Sequence, residues 1–185
     1  MKFAKIIKGE NCYLKQFNSE DKKLTDCIHT LFNDKQITGF LNPDYPLHKN
    51  KREVNKWIKN CQNNPVQQWY VIVTSGVYIG YVCFKWRENF TYACEISTAI
   101  LSEYRGLKLG FESSKILVDY VKSLKFFRFA VAYTSKKNNK AANNLRKIGF
   151  RKNTRLFHLI ELKFYDTKNV NPHSTDYQLL AIKLF

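Results

Sequence analysis

Residues 95–150 spell out a strand, a basic glycine turn, a helix and a second strand, and that order leaves few folds open to the chain. An apolar stretch over 95–101 runs into Tyr104-Arg105-Gly106-Leu107-Lys108-Leu109-Gly110, then into an amphipathic helical pattern. A second apolar stretch, 129–133, leads to a segment from Asn138 through Ala141 to Lys147-Ile148-Gly149-Phe150. A strand passing through a glycine turn into a helix leaves main-chain N–H groups free at the helix N-terminus, where a pyrophosphate can seat. The pattern therefore points to a phosphorylated cofactor.

These residues resemble the GNAT superfamily of acyl-CoA N-acetyltransferases. Its pyrophosphate turn runs Arg/Gln-x-x-Gly-x-Gly/Ala, and its next strand leads to an Asn-x-x-Ala/Ser helix ending in Lys-x-Gly-Phe. Arg105, Gly106 and Gly110 fit the first element; Asn138, Ala141, Lys147, Gly149 and Phe150 fit the second. Lys108 departs from the pattern, standing where the family has its middle glycine. Lysine still offers a main-chain N–H and adds an ammonium near phosphate, provided the local dihedral angles do not demand glycine. The likeness extends to Asn33-Asp34 with Ile37, to Phe40-Leu41-Asn42-Pro43, to Val54-Asn55-Lys56-Trp57-Ile58, to Glu95-Ile96 and to Asp176-Tyr177. In these the chain is similar to ribosomal-protein (Rim-type) and nucleotide-aminosugar N-acetyltransferases.

The resemblance implies acetyl-CoA as co-substrate, bound where the strand before the glycine turn splays from the next parallel strand at a bulge. The backbone of Ala99, Ile100 and Leu101 would take the pantetheine arm, with one N–H polarising the thioester carbonyl. The main chain of Arg105, Gly106, Leu107, Lys108, Leu109 and Gly110 would hold the pyrophosphate, Arg105 or Lys108 adding charge. Asn138 and Ala141 would border the same arm, and Asn138 also reads as a helix N-cap. Glu95, a carboxylate inside an apolar strand, is the candidate general base, its pKa expected to rise by desolvation unless a cation or donors offset that. The alternative is a structural pair with a lysine or arginine. Many family members carry a tyrosine at the position of Leu145, able to protonate the departing thiolate; Tyr133, Thr134 and Ser135 are the nearby substitutes, with Tyr133 foremost. Gly149 is read as a C-cap.

Composition sets the outer limits. The 185 residues, 44% hydrophobic and 15% aromatic, suit one folded unit, so a single domain over 1–185 is expected. No apolar run approaches the roughly 18 residues of a membrane span, and no signal-like core follows Met1, so a soluble, cytoplasmic protein is expected. The cysteines (Cys12, Cys27, Cys61, Cys83 and Cys94) are scattered with no C-x-x-C pair, which suits buried thiols in a reducing compartment. The histidines are isolated, and no metal is assigned.

A net charge of +16, from 31 basic and 15 acidic residues, creates a field that attracts anions. It favours an anionic carrier as acceptor, a nucleotide-linked aminosugar or a protein N-terminus, over a polyamine. Ribosome or nucleic-acid association and a homodimer are compatible partners. A non-catalytic acyl-CoA-binding or ribosome-associated module retaining the fold is the alternative to an enzyme.

The remaining periodicity predicts an α/β (α+β) fold: a mixed, mostly antiparallel central sheet with helices on both faces. Strands are expected over 11–17, 68–74, 77–85, 92–101, 129–133, from near Phe150, and over 177–184. Helices are expected after Ser19-Glu20-Asp21, with Leu24, Cys27, Ile28, Leu31 and Phe32 on one stripe, and over 51–61 and 110–123. The third is expected to bury Phe111, Ser114, Ile116, Leu117, Tyr120 and Val121. The breaks fall at Asn42-Pro43-Asp44-Tyr45-Pro46 and Arg87-Glu88-Asn89.

Overall fold

Among the described residues, tight turns and alternating apolar residues assemble an eight-stranded sheet in which the strands lie in chain order except that the eighth sits between the sixth and the seventh. The structure is a computed structural model describing residues 2–38, 50–88, 90–152 and 177–185. The strands are β1 (Ile6–Lys8), β2 (Tyr13–Gln16), β3 (Gln67–Thr74), β4 (Val77–Arg87), β5 (Phe90–Ile100), β6 (Phe129–Ser135), β7 (Arg151–Lys152) and β8 (Tyr177–Lys183). The Phe40 to Pro46 features, Asn89 of the turn, Asp176 and the continuation of the strand after Lys152 lie outside the described residues.

Ser75 and Gly76, both at positive φ (47° and 76°), make the two-residue turn between β3 and β4. Such a turn matches the twist of the flanking strands. Every neighbouring pair is antiparallel except β5 and β6. A parallel pair needs a crossover, here α4 (Leu109–Ser123).

Alternation within β3 to β5 sends side chains into two cores. On one face α1 (Lys22–Asn33) and α3 (Lys51–Asn63) set Leu24, Ile28, Leu31, Phe32, Val54 and Ile58 against Trp69, Val71, Val73, Tyr81 and Cys83. The Asp21 carboxylate accepts from Lys23 N at 3.1 Å, and the Asn50 side chain accepts from Glu53 N at 3.0 Å, so both helices start at capped ends. On the other face α4 and α5 (Asn139–Ile148) set Leu117, Val118, Val121 and Ala142 against Tyr70, Ile72, Val82, Phe84 and Ile96. Each fully buried aliphatic side chain of this kind contributes about 1.5–3 kcal/mol.

Three elements differ from the sequence expectation. The short β1 and the four-residue α2 (Lys35–Thr38) carry too few residues to show a period. In α4 the buried stripe is Leu109, Ser113, Ser114, Leu117, Val118 and Val121, whereas Phe111, Ile116 and Tyr120 are half-buried. Small serines face the sheet because Ser114 Oγ meets Thr98 Oγ1 at 2.8 Å and the helix lies close to β5. All five cysteines are free and buried, and burial pushes the Cys27 and Cys83 thiols up to about 12.

Candidate active site

The β5–β6 ladder is short. It pairs Ala93, Cys94 and Glu95 with Phe129, Ala130 and Val131 and then stops, while β5 continues against β4 to Ile100 and β6 continues against β8 to Ser135. Two central strands thus diverge above Glu95 and Val131. Thr98, in the middle of the sheet, is exposed as a consequence. The β4–β5 register shifts between Lys85 and Arg87, whose partners are Glu95 and Phe90, just below the divergence.

Antiparallel pairing decides which β5 groups face the opening. Leu101 donates its N–H to the Ile79 carbonyl of β4 at 2.9 Å, and Arg128 donates to the Tyr92 carbonyl from the β6 side at 3.0 Å. Since main-chain groups alternate, the polar groups of Thr98 and Ile100 point into the opening and those of Ala99 are spent on β4, while Leu101 gives its N–H to β4 and its carbonyl accepts from Tyr104 N at 3.1 Å. Of the three residues expected to line the arm, Ile100 therefore presents its N–H; Thr98 joins it, a residue that alternation alone could have marked. Gly80 supports this geometry from behind, because a Cβ there would drive into the Ala99 carbonyl oxygen.

Beyond β5 the chain makes a 3-10 turn, Ser102–Tyr104, and enters α4 through Lys108. Gly106 has φ 87° and Lys108 has φ 61°, the left-handed region. Glycine takes that conformation without strain; for lysine it costs about 1–2 kcal/mol. Glu112 N is the first amide to bond back, to the Lys108 carbonyl at 3.0 Å. Among the described residues the N–H groups of 106–111 meet no acceptor. They form a run of donors at the positive end of a helix, which is the chemistry a pyrophosphate requires. Gly110 sits 3.3 Å, measured from an added Cβ, from Ile100 Cδ1, so the turn packs against the top of β5.

Arg105 points elsewhere. Its Nε donates to the Ile100 carbonyl at 3.3 Å, Nη1 to Gln36 Oε1 at 3.0 Å and Nη2 to Asp34 Oδ2 at 3.2 Å. The guanidinium pins the α1–α2 junction to the end of β5, and Lys108, exposed at the turn, is the cation left beside the free amides. The Asn138 side chain accepts from Ala141 N at 3.1 Å, capping α5, and Gly149 closes that helix at φ 116° with its N–H on the Leu145 and Arg146 carbonyls.

Glu95 is half-buried at the fork, on the α1/α3 face, directly across from Lys85 of β4. The Lys85 ammonium also lies over the Trp69 ring, 5.7 Å from its centroid. Burial works against that charge, yet the Glu95 carboxylate and smaller contributions from Cys83, Tyr81 and Cys61 together outweigh it and hold Lys85 above the ordinary lysine range. Tyr133 follows Val131 by two residues on β6 and so shares the face of Glu95. Glu95 and Tyr133 thus leave the sheet on one face beside the fork, with the Tyr133 hydroxyl buried. No group of His, Cys, Asp and Glu among the described residues is placed to hold a metal ion.

Comparison with known proteins agrees with this geometry. The family model described as "Acetyltransferase (GNAT) domain" matches residues 12–151, and the chain belongs to that family. No curated protein sequence matches it. Among solved structures, an acetyltransferase (GNAT family) from Bacillus anthracis shares 15% identity over 97% of this chain and 98% of its own, with TM-score 0.73. The ribosomal L7/L12 alpha-N-protein acetyltransferase RimL, in complex with coenzyme A, shares 15% over 96% and 97%, with TM-score 0.76. Spermidine N-acetyltransferase from Vibrio cholerae, in complex with CoA and spermine, shares 16% over 95% and 97%, with TM-score 0.73. The fold is that of GNAT acetyltransferases, as the motifs implied.

Proposed function

We propose that the chain is a single-domain N-acetyltransferase that moves an acetyl group from acetyl-CoA to a primary amine by direct attack within a ternary complex. The observation that carries this reading is the early end of the β5–β6 ladder, which leaves Thr98 exposed and the Ile100 N–H aimed into the gap. A pantetheine arm laid there adds main-chain hydrogen bonds as a strand would. Residues 106–111 hold the pyrophosphate through their amides, with the Lys108 ammonium beside it.

The chemistry needs a neutral amine, a stabilised oxyanion and a departing thiolate. The amine nitrogen attacks the thioester carbon while the Ile100 N–H takes the growing negative charge on oxygen. Glu95 accepts the amine proton, directly or through water. The C–S bond breaks, and Tyr133 or solvent returns a proton to sulfur, a modest demand because a thiol has a pKa near 8.5. Holding both reactants in one slot supplies much of the rate. The net charge of +16 favours an acceptor on an anionic carrier, such as a nucleotide-linked aminosugar or a protein N-terminus. No described helix is long and apolar enough to cross a membrane.

Thiol release from acetyl-CoA, followed with a panel of aminosugar nucleotides and N-terminal peptides, tests this. Turnover above background on one class, depressed by Glu95→Gln in a folded variant, is the expected result. A second reading, a non-catalytic acyl-CoA binder, draws on the placement of Lys85 opposite Glu95, where the carboxylate serves a structural pair. Under it, acetyl-CoA stabilises the protein against heat but no thiol appears with any amine.

A further inference from the structure

Ile96, Thr98 and Ile100 follow one another along the end of β5 on the face packed by α4 and α5. The two isoleucines are 3% and 8% exposed and belong to the core, whereas Thr98 between them is exposed. Its cross-strand partner Val82 is buried in the same core, which places Thr98 on that face. An exposed polar side chain between buried apolar neighbours marks an opening in the packing, and this one coincides with the stretch of β5 that β6 has left.

The direction of hydrogen bonding at Thr98 follows from counting protons. Ser114 Oγ lies 2.8 Å from Thr98 Oγ1 and 2.8 Å from the Gly110 carbonyl oxygen. A carbonyl only accepts, so the single Ser114 proton goes to Gly110, and Thr98 donates its own proton to Ser114. Thr98 Oγ1 keeps its lone pairs and, among the described residues, meets no donor. The β-branched side chain is stiff about χ1, which holds that oxygen in place. Such a site takes an N–H from a ligand and refuses a carbonyl or phosphate oxygen. Glu95, the candidate base, lies three residues away on the opposite face of the strand, so the amine belongs to that side and the donor that meets Thr98 belongs to the cofactor.

We infer that Thr98 is a specificity residue for the acyl carrier: its hydroxyl oxygen, turned into an acceptor by Ser114 and Gly110, takes an amide N–H of the pantetheine arm. The inference rests on the acyl-CoA reading and adds a side chain to a slot otherwise read through main-chain groups. Gly110 belongs to the phosphate turn, so the same relay joins the seat of the arm to that of the pyrophosphate.

Calorimetric titration with coenzyme A and with 3′-phospho-ADP, which carries the pyrophosphate but no arm, tests the assignment. Thr98→Val keeps the shape and strand preference of the side chain and leaves the Ser114 proton on Gly110, so folding is retained. It should weaken coenzyme A binding by roughly three- to tenfold and leave 3′-phospho-ADP binding unchanged. Thr98→Ser, which restores the hydroxyl, should bind coenzyme A within roughly twofold of the parent. Ser114→Ala frees the Thr98 proton to turn into the slot, and should weaken coenzyme A binding in the parent but not in the Thr98→Val background. The inference is overturned by a Thr98→Val protein with unaltered coenzyme A affinity, by equal weakening of both ligands, or by a Ser114→Ala effect of the same size in both backgrounds. A parent protein that binds no coenzyme A refutes the acyl-CoA reading itself, and this inference with it.

Discussion

Lys108 offers the sharpest test of how the glycine turn works. Its φ of 61° is a conformation that costs a lysine about 1–2 kcal/mol, and alanine bears the same cost because the strain comes from Cβ. Glycine escapes it but loses more freedom on folding, about 0.5–1 kcal/mol. Lys108→Gly should therefore gain about 0.5–1 kcal/mol, which for a protein of this size is a rise in melting temperature of about 1–4 °C. Lys108→Ala should melt close to the parent. Coenzyme A affinity responds to a different property, the ammonium, so calorimetric titration should show both variants weakened alike. An exposed charge near phosphate contributes about 0.2–1 kcal/mol, at most roughly fivefold in Kd. A glycine variant less stable than the alanine variant would refute the left-handed turn. Unchanged affinity in both would leave the amides as the whole of the phosphate site.

Gly80→Ala forces a methyl into the Ala99 carbonyl, so a loss of about 1–3 kcal/mol in chemical denaturation is expected, together with weaker coenzyme A binding; a fully stable variant would contradict the close approach. Glu112 accepts from the N–H groups of Glu10, Asn11 and Cys12 and from Asn11 Nδ2 at 2.7–3.2 Å. Burial opposes its charge, but these donors outweigh it and hold the carboxyl below its ordinary range. Its stabilisation is therefore fully present above the unfolded pKa of about 4.3 and lost as pH falls through the lower folded value. Glu112→Gln should cost about 1–2 kcal/mol at neutral pH and little in strong acid, and a pH-independent difference would count against the reasoning. Arg105→Met should lower the melting temperature by breaking the Asp34 and Gln36 contacts while leaving the salt dependence of coenzyme A binding unaltered. A flattened salt dependence would instead place the guanidinium on phosphate.

Much of the fold could be read from the chain because its signals are local. Asp21 and Asn138 cap helices, Ser75-Gly76 turns a hairpin, and Gly149 ends α5, each through contacts within a few residues. The fork could be reached only through family likeness, since the point where a ladder stops depends on strands that are distant in sequence. The same holds for Arg105, whose partners Asp34 and Gln36 lie some seventy residues away, and for Lys85 facing Glu95, a pairing fixed by register. Of the expected α4 stripe, Ser114, Leu117 and Val121 are buried, whereas Phe111, Ile116 and Tyr120 are half-buried and Ser113 lies beneath the helix in their place, a choice hydrophobicity does not encode.

The central claim is that the opening between β5 and β6, with the amides above it, is where acetyl-CoA binds. Titrating isotope-labelled protein with coenzyme A and following each backbone amide by NMR examines it directly. The account predicts the largest shifts at Thr98, Ile100 and residues 106–111, with Leu101 and the strand pair β2–β3 little changed. Shifts confined to other surfaces, with Ile100 and Gly110 unmoved at saturation, would contradict it.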